Sequence, residues 1–211
     1  MTSDPLLWIA TLSALGLLPF ALLTLTCFAR ISILLLFVRQ GLGAGNIPPN
    51  IVLNGIALIL SAHIMFPVFA MTHDRAQQTL TREDGAWEIS HWDQLPVVAE
   101  PMIDFLRMNS GEEERASAAR IRDSAQPDEE PLTLALAFIL TEMQRALEAG
   151  VLILLPFLLI DILVALVLLA LGAHMLSPTS VSPALKLLLF LSVDGWSLIA
   201  SGLGDGYILP Q

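Results

Sequence analysis

Residues 154–172 read LLPFLLIDILVALVLLALG, and Asp161 is the only ionisable side chain among them. A charge held at the centre of a bilayer costs about 3 kcal/mol on insertion scales, so such an acid faces protein, a counter-charge or a water path rather than lipid. The run belongs to one of four apolar stretches: Pro5–Val38, Ile51–Met71, Leu132–Gly172 and Ala184–Leu203. A helix crosses a bilayer with about 20 apolar residues, so the second and fourth stretches each fit one helix. The first, 34 residues long, would extend about 51 Å as a single helix, too far for a simple crossing, and Pro19 divides it. The third is longer, is interrupted by the polar patch TEMQRALE (Thr141–Glu148), and then carries Pro156; the second carries Pro67. An interior proline removes a helix hydrogen bond, and in hydrocarbon the freed carbonyl needs protein or trapped water. Three of the runs are therefore expected to be bent or broken helices packed on protein; the alternative is ordinary kinked transmembrane helices.

Composition agrees with a membrane-embedded, all-α chain. Of 211 residues, 55% are hydrophobic and 14% charged, where a soluble domain carries about a quarter charged residues. A net charge of −10 argues against nucleic acid as a partner, since phosphate binding needs a surplus of cations. The one cysteine, Cys27, lies in an apolar run, cannot form an intrachain disulfide, and is expected as a buried thiol; no Cys/His spacing points to a metal. No cofactor is implied. There is no phosphate loop, HExxH or GxSxG; the GLGAG of Gly41–Gly45 lacks a strand before it and reads as a flexible turn. No serine–histidine spacing argues for a triad, so the chain is expected not to be an enzyme. Asp4 and the absence of Lys or Arg before the first apolar run do not fit a cleavable signal, and Met1 onward is read as mature protein.

The expected organisation is an N-terminal hydrophobic helical hairpin at 1–71, an acidic insert at 72–131 and a C-terminal hydrophobic hairpin at 132–211. The insert holds 14 Asp/Glu and 6 Arg, −8 of the net −10. Within it SGEEERASAARIRDSAQ (Ser110–Gln126) reads as a solvated helix, with Ser110 as cap, Glu113 completing a capping box, and Glu112–Glu114 at the positive end. Gln40–Asn50 and Gly172–Pro183 are short connections rich in Gly or Pro. Arg39 borders the first and Lys186 follows the second. The positive-inside tendency puts both turns in the cytoplasm, and the insert and both termini on the other side.

Arg30, His63, Asp161 and Asp194 lie inside apolar runs. One reading is a proton or ion relay. The favoured one is structural pairing, Arg30 with Asp161 or with Asp194, because removing one partner of a buried pair strands a charge. His63 is expected as a hydrogen-bonded core residue. Glu142, Arg145 and Glu148, three residues apart, share a helix face and can pair locally, or sit at a pore or subunit contact.

The sequence resembles the FliP/SctR (YscR/HrcR) family of type III protein-export subunits. The resemblance rests on PFALLTLTCFARISILLLFVRQGLG (Pro19–Gly43), PPNIVLNGIALIL with IMFPV (Pro48–Val68), EPMIDFL (Glu100–Leu106), TEMQRALEAGVLILLPFLLIDILVALVLLALG (Thr141–Gly172), and LSP followed by PALKLLLFLSVDGWSLI (Leu176–Ile199). Their order and spacing together carry the match. The resemblance implies a non-enzymatic, pore-forming subunit in the bacterial inner membrane, with the acidic insert in the periplasm, through which unfolded secreted proteins pass. It implies a ring of five copies joined by SctS (FliQ)-like, SctT (FliR)-like and SctU (FlhB)-like subunits, with bent hairpins partly lifted above the lipid. The family's methionine-rich pore loop matches Gly172-Ala173-His174-Met175-Leu176, within a gate loop near 172–178. Only Met175 keeps the methionine, with Leu176 adding apolar bulk and His174 substituted. A methionine ring seals yet yields to varied chains because the thioether is flexible and polarizable. Glu142 matches an acid that the family places between subunits or near the pore. Asp161, with Lys186 or Arg30 of its own or a neighbouring chain, is expected to fix a helix or subunit contact. The missing cleavable signal leans toward the virulence-associated injectisome branch. A flagellar gate subunit is the alternative and a proton-coupled transporter a remote one, for which the halves show no internal repeat.

Overall fold

The computed structural model describes residues 5–43, 45, 47–80, 95–122, 130–173, 175–204 and 206–210. Among the described residues every regular element is an α-helix: α1 (Pro5–Leu25), α2 (Phe28–Leu42), α3 (Asn50–Leu80), α4 (Leu95–Asn109), α5 (Glu112–Arg122), α6 (Pro131–Ala170), α7 (Pro178–Ser192) and α8 (Gly195–Gly204). The chain is an all-α membrane protein: α3 and α6 are each long and apolar enough to cross a bilayer, and the pairs α1/α2 and α7/α8 qualify as broken spans. α6 has 40 residues and is about 60 Å long, roughly twice the thickness of a bilayer's hydrocarbon.

The helices break at places other than the prolines. Pro19, Pro67 and Pro156 lie inside α1, α3 and α6, and α6 also runs unbroken through the polar patch Thr141–Glu148. A proline costs one backbone bond but leaves the neighbouring turns to propagate. The first run is instead interrupted at Thr26–Cys27. There the Thr26 hydroxyl donates to the Leu22 carbonyl and its oxygen accepts the Phe28 N–H, so a side chain takes over groups the helix would have used. Cys27 is fully buried, as expected. The fourth run, read as one helix, is two: α7 and α8 meet at 61°. Asp194 supplies the bend with φ +49°, a left-handed conformation that Asp adopts more readily than most residues. Its carbonyl accepts the N–H groups of Ser197 and Leu198 and so starts α8. Gly195 lies under the Phe190 ring, where a Cβ would collide.

The chain divides into two compact units. The first comprises Met1–Ala29, Met65–Thr141 and Ile208–Gln211. Its buried residues include Met65, Val68, Phe105, Leu106, Ala118, Leu134 and Phe138, with the Phe105 and Phe138 rings 5.5 Å apart and tilted by 59°. The α4–α5 junction shifts the expected cap by one residue. α5 begins at Glu112, the Ser110 hydroxyl donates back to the Leu106 carbonyl at 2.6 Å, and the Gly111 N–H donates to Thr141 Oγ1 at 2.9 Å. Glu114, rather than Glu113, folds back over Gly111, and a Cβ at 111 would meet its carboxylate. Residues 123–126 of the expected helix lie outside the described residues.

The second unit comprises Arg30–Ile64 and Glu142–Tyr207. Its core is Val38, Leu42, Phe157 and Phe190, with Ile153 and Ile199 against it. α2 and α6 approach through two reciprocal glycine–phenylalanine contacts. Gly41 of α2 lies under the Phe157 ring of α6, and Gly150 of α6 lies under the Phe37 ring of α2. Small residues let apolar helices come close where the hydrophobic effect gives little help. The order of the contacts, 37 to 150 and 41 to 157, makes the two helices run in the same direction. Beyond Gly150, α6 keeps an apolar exterior: Leu152, Leu155, Leu159, Ile162, Leu166 and Leu169 are each more than half exposed.

Candidate functional site: buried charges and the α6–α7 loop

The polar patch on α6 places Glu142 in the second unit with no exposed surface. One of its carboxylate oxygens, Oε2, accepts the hydroxyl of Tyr207. The other, Oε1, has no hydrogen-bond partner among the described residues, and Arg145 Nη1 lies 3.8 Å from it. The Tyr207 ring in turn lies under the Arg30 guanidinium, 5.2 Å from carbon to ring centre. A desolvated contact of this kind is worth about 2 kcal/mol. Gly206 lets it close, since a Cβ there would sit 3.2 Å from both terminal nitrogens of Arg30. Arg30 Nε and Nη1 are buried and find no hydrogen-bond partner among the described residues. Residues from α2, α6 and the segment after α8 thus form one chain of groups: Arg30, Tyr207, Glu142, Arg145. Arg30 was expected against Asp161 or Asp194; its neighbours are Tyr207 and, through it, Glu142. Tyr207 itself was missed. Its one signal in the sequence is that it is the only tyrosine, following a glycine-rich GLGDG. Glu148 lies apart from the cluster, exposed, and accepts from Gln144 at 3.1 Å.

Asp161 finds its partner across the α6–α7 hairpin. Lys186 Nζ donates to Asp161 Oδ2 at 2.6 Å. Lys186 is 5% exposed and Asp161 41%, so the ammonium is enclosed and the carboxylate half open. Gly43 stands next to the ammonium: a Cβ there would come 3.7 Å from Nζ and 3.6 Å from Pro183. The register of the hairpin puts residue 186 opposite 161, which is why Lys186 rather than Arg30 is the mate. Asp194 was expected among the buried charges, yet it is exposed at the α7–α8 bend. His63, expected in the core, is also exposed. Among the described residues no group of His, Cys, Asp or Glu can hold a metal.

The loop after α6 begins with a capped helix end. Ala173 N–H reaches the Leu168 carbonyl and Gly172 N–H that of Leu169, while Gly172 takes φ +68°; this is a Schellman cap, which glycine alone enters without strain. Met175 beyond it is 97% exposed and Leu176 56%. His174 lies outside the described residues.

Comparison with known proteins places these features in a family. A family model described as the FliP family matches residues 11–203. The probable translocation protein y4yL of Sinorhizobium fredii is 35% identical over 96% of this chain and 94% of its own length. The virulence protein YscR of Salmonella typhimurium is 34% identical over 98% of this chain and 99% of its own length. The flagellar biosynthetic protein FliP of Pectobacterium carotovorum is 35% identical over 93% of this chain and 76% of its own length.

Proposed function

Because the chain belongs to the FliP family of type III export proteins, we propose that it is a pore-forming structural subunit of an export gate through which unfolded proteins cross the inner membrane. That it is an inner-membrane subunit of a secretion export apparatus follows from its family and its apolar helices. The pore-forming role goes further, and one observation carries it. The loop joining α6 to α7 projects Met175 almost wholly free of its own chain. A flexible thioether left uncovered on the tip of a hairpin suits a seal built from several copies, each contributing one tip. Leu176 and His174 are the further members assigned to this gate.

The proposal extends to assembly. Five copies form the ring, joined by SctS-like, SctT-like and SctU-like subunits. The exposed leucines and isoleucines of α6 are the surface that such neighbours and lipid would cover. Glu142, Arg145 and Glu148 are the residues assigned to a subunit or pore contact; the Oε1 of Glu142, without a hydrogen bond among the described residues, supports this. The acidic insert is assigned to the periplasm together with the C-terminus. In support, Asn109 at the end of α4 is hydrogen-bonded to Ile208, which ties insert and C-terminal segment to one side. Relatives named for virulence and for translocation favour the injectisome branch over the flagellar one.

The test is conductance of the purified complex in planar bilayers. Met175→Ala is expected to open a leak to small ions in the closed gate, with complex yield unchanged. An intact complex with no added conductance removes the gating assignment. Rescue of a flagellar null strain, but not of an injectisome null, would reassign the branch.

A further inference from the structure

Residues 207–210 follow the last helix with no regular structure, yet one of them is held by two directed bonds. Asn109, only 1% exposed, donates from Nδ2 to the Ile208 carbonyl at 2.8 Å and accepts the Ile208 N–H on Oδ1 at 3.0 Å. A neighbouring β-strand would offer one residue this same pair of bonds. The second Nδ2 hydrogen goes to the Phe105 carbonyl at 2.9 Å, which fixes the amide on its own helix. Ile208 itself is 61% exposed and Leu209 38%, between the buried Tyr207 and Pro210, so at the gripped residue the hold is through the backbone.

We infer that Asn109 is a latch for the C-terminal segment: its side-chain amide holds the backbone of Ile208 and straps the end of the chain onto the insert. Asn alone suits the task. Asp lacks the donor, Ala lacks both groups, and Gln sets the amide one methylene farther from the helix. The strap also reaches the α4–α5 junction, because Asn109, Ser110 and Gly111 are consecutive and each is engaged, with Ile208, Leu106 and Thr141 respectively. Release of the strap frees the first of these three anchors.

A nitroxide at Leu209→Cys in a Cys27→Ala background, read by electron paramagnetic resonance on the assembled complex in detergent, tests the latch. Asn109→Ala and Asn109→Asp are each expected to raise the mobile fraction by about threefold or more, as losing a buried hydrogen-bonded pair does. Ile208→Pro removes the N–H without touching α4 and is expected to act in the same direction. Unchanged spectra in assembled Asn109→Ala overturn the inference. If that variant fails to assemble, an unchanged spectrum in Ile208→Pro overturns it instead. The readout is local to the strap and independent of any gating function.

Discussion

Lys186 and Asp161 form a 2.6 Å ion pair that closes the α6–α7 hairpin, and they share burial unequally, 5% against 41% exposed. The consequences of removing each partner are therefore unequal as well. Asp161→Ala strands an enclosed ammonium, at about 3–5 kcal/mol. Lys186→Met leaves a carboxylate that its own chain encloses far less, at lower cost. Recovery of the complex on native gels is expected to fall further for Asp161→Ala than for Lys186→Met. The double variant Asp161→Leu with Lys186→Met is expected to recover most of the loss. If it assembles and secretes, neither residue relays protons; if it assembles but secretion fails, the pair has a role beyond closing the hairpin.

Tyr207 gives Glu142 its hydroxyl and Arg30 its ring. Tyr207→Phe keeps the ring and removes the donor, leaving a fully buried carboxylate oxygen without a partner. The expected loss is about 1–3 kcal/mol, seen as a lower melting temperature of the purified complex. Tyr207→Leu removes both contacts and should cost more. Equal melting temperatures for the Phe and Leu variants would mean that the Arg30 contact contributes nothing.

The reciprocal glycines of α2 and α6 predict a steric signature. Gly41→Ala places a Cβ inside the Phe157 ring, and Gly150→Ala does so at Phe37. Overpacking of this kind costs about 1–3 kcal/mol. Gly41→Ala combined with Phe157→Leu is expected to be more stable than the sum of its single changes. Gly41→Ala with Phe37→Leu is expected to show no such coupling.

Asp194 is exposed and left-handed at the α7–α8 bend. Asp194→Gly is expected to assemble normally. Asp194→Val, β-branched at φ +49°, is expected to cost about 1–2 kcal/mol and to lower complex yield, with substrate selectivity unchanged in the fraction that assembles. Normal yield for the Val variant would mean that the bend is not set at this residue.

By itself the sequence determined the all-α membrane class, the family, and which charged groups lie inside apolar runs. Those properties are local: apolar length, helical composition and short motifs are written residue by residue. Tertiary structure decided the partners and the breaks. Asp161 meets Lys186 because the hairpin register sets residue 186 opposite it, and Glu142 meets Tyr207, 65 residues away. No periodicity encodes such distant meetings. The prolines do not end their helices, for a related reason. A helix carries on past one missing hydrogen bond when the turns on either side are sound, and α6 does so at Pro156. It stops where a side chain or a left-handed residue redirects the backbone, as at Thr26 and Asp194. Which of an Asp, a Thr and a Pro acts as the break depends on the contacts around it, such as the Phe190 ring over Gly195, and those contacts exist only once the chain has packed.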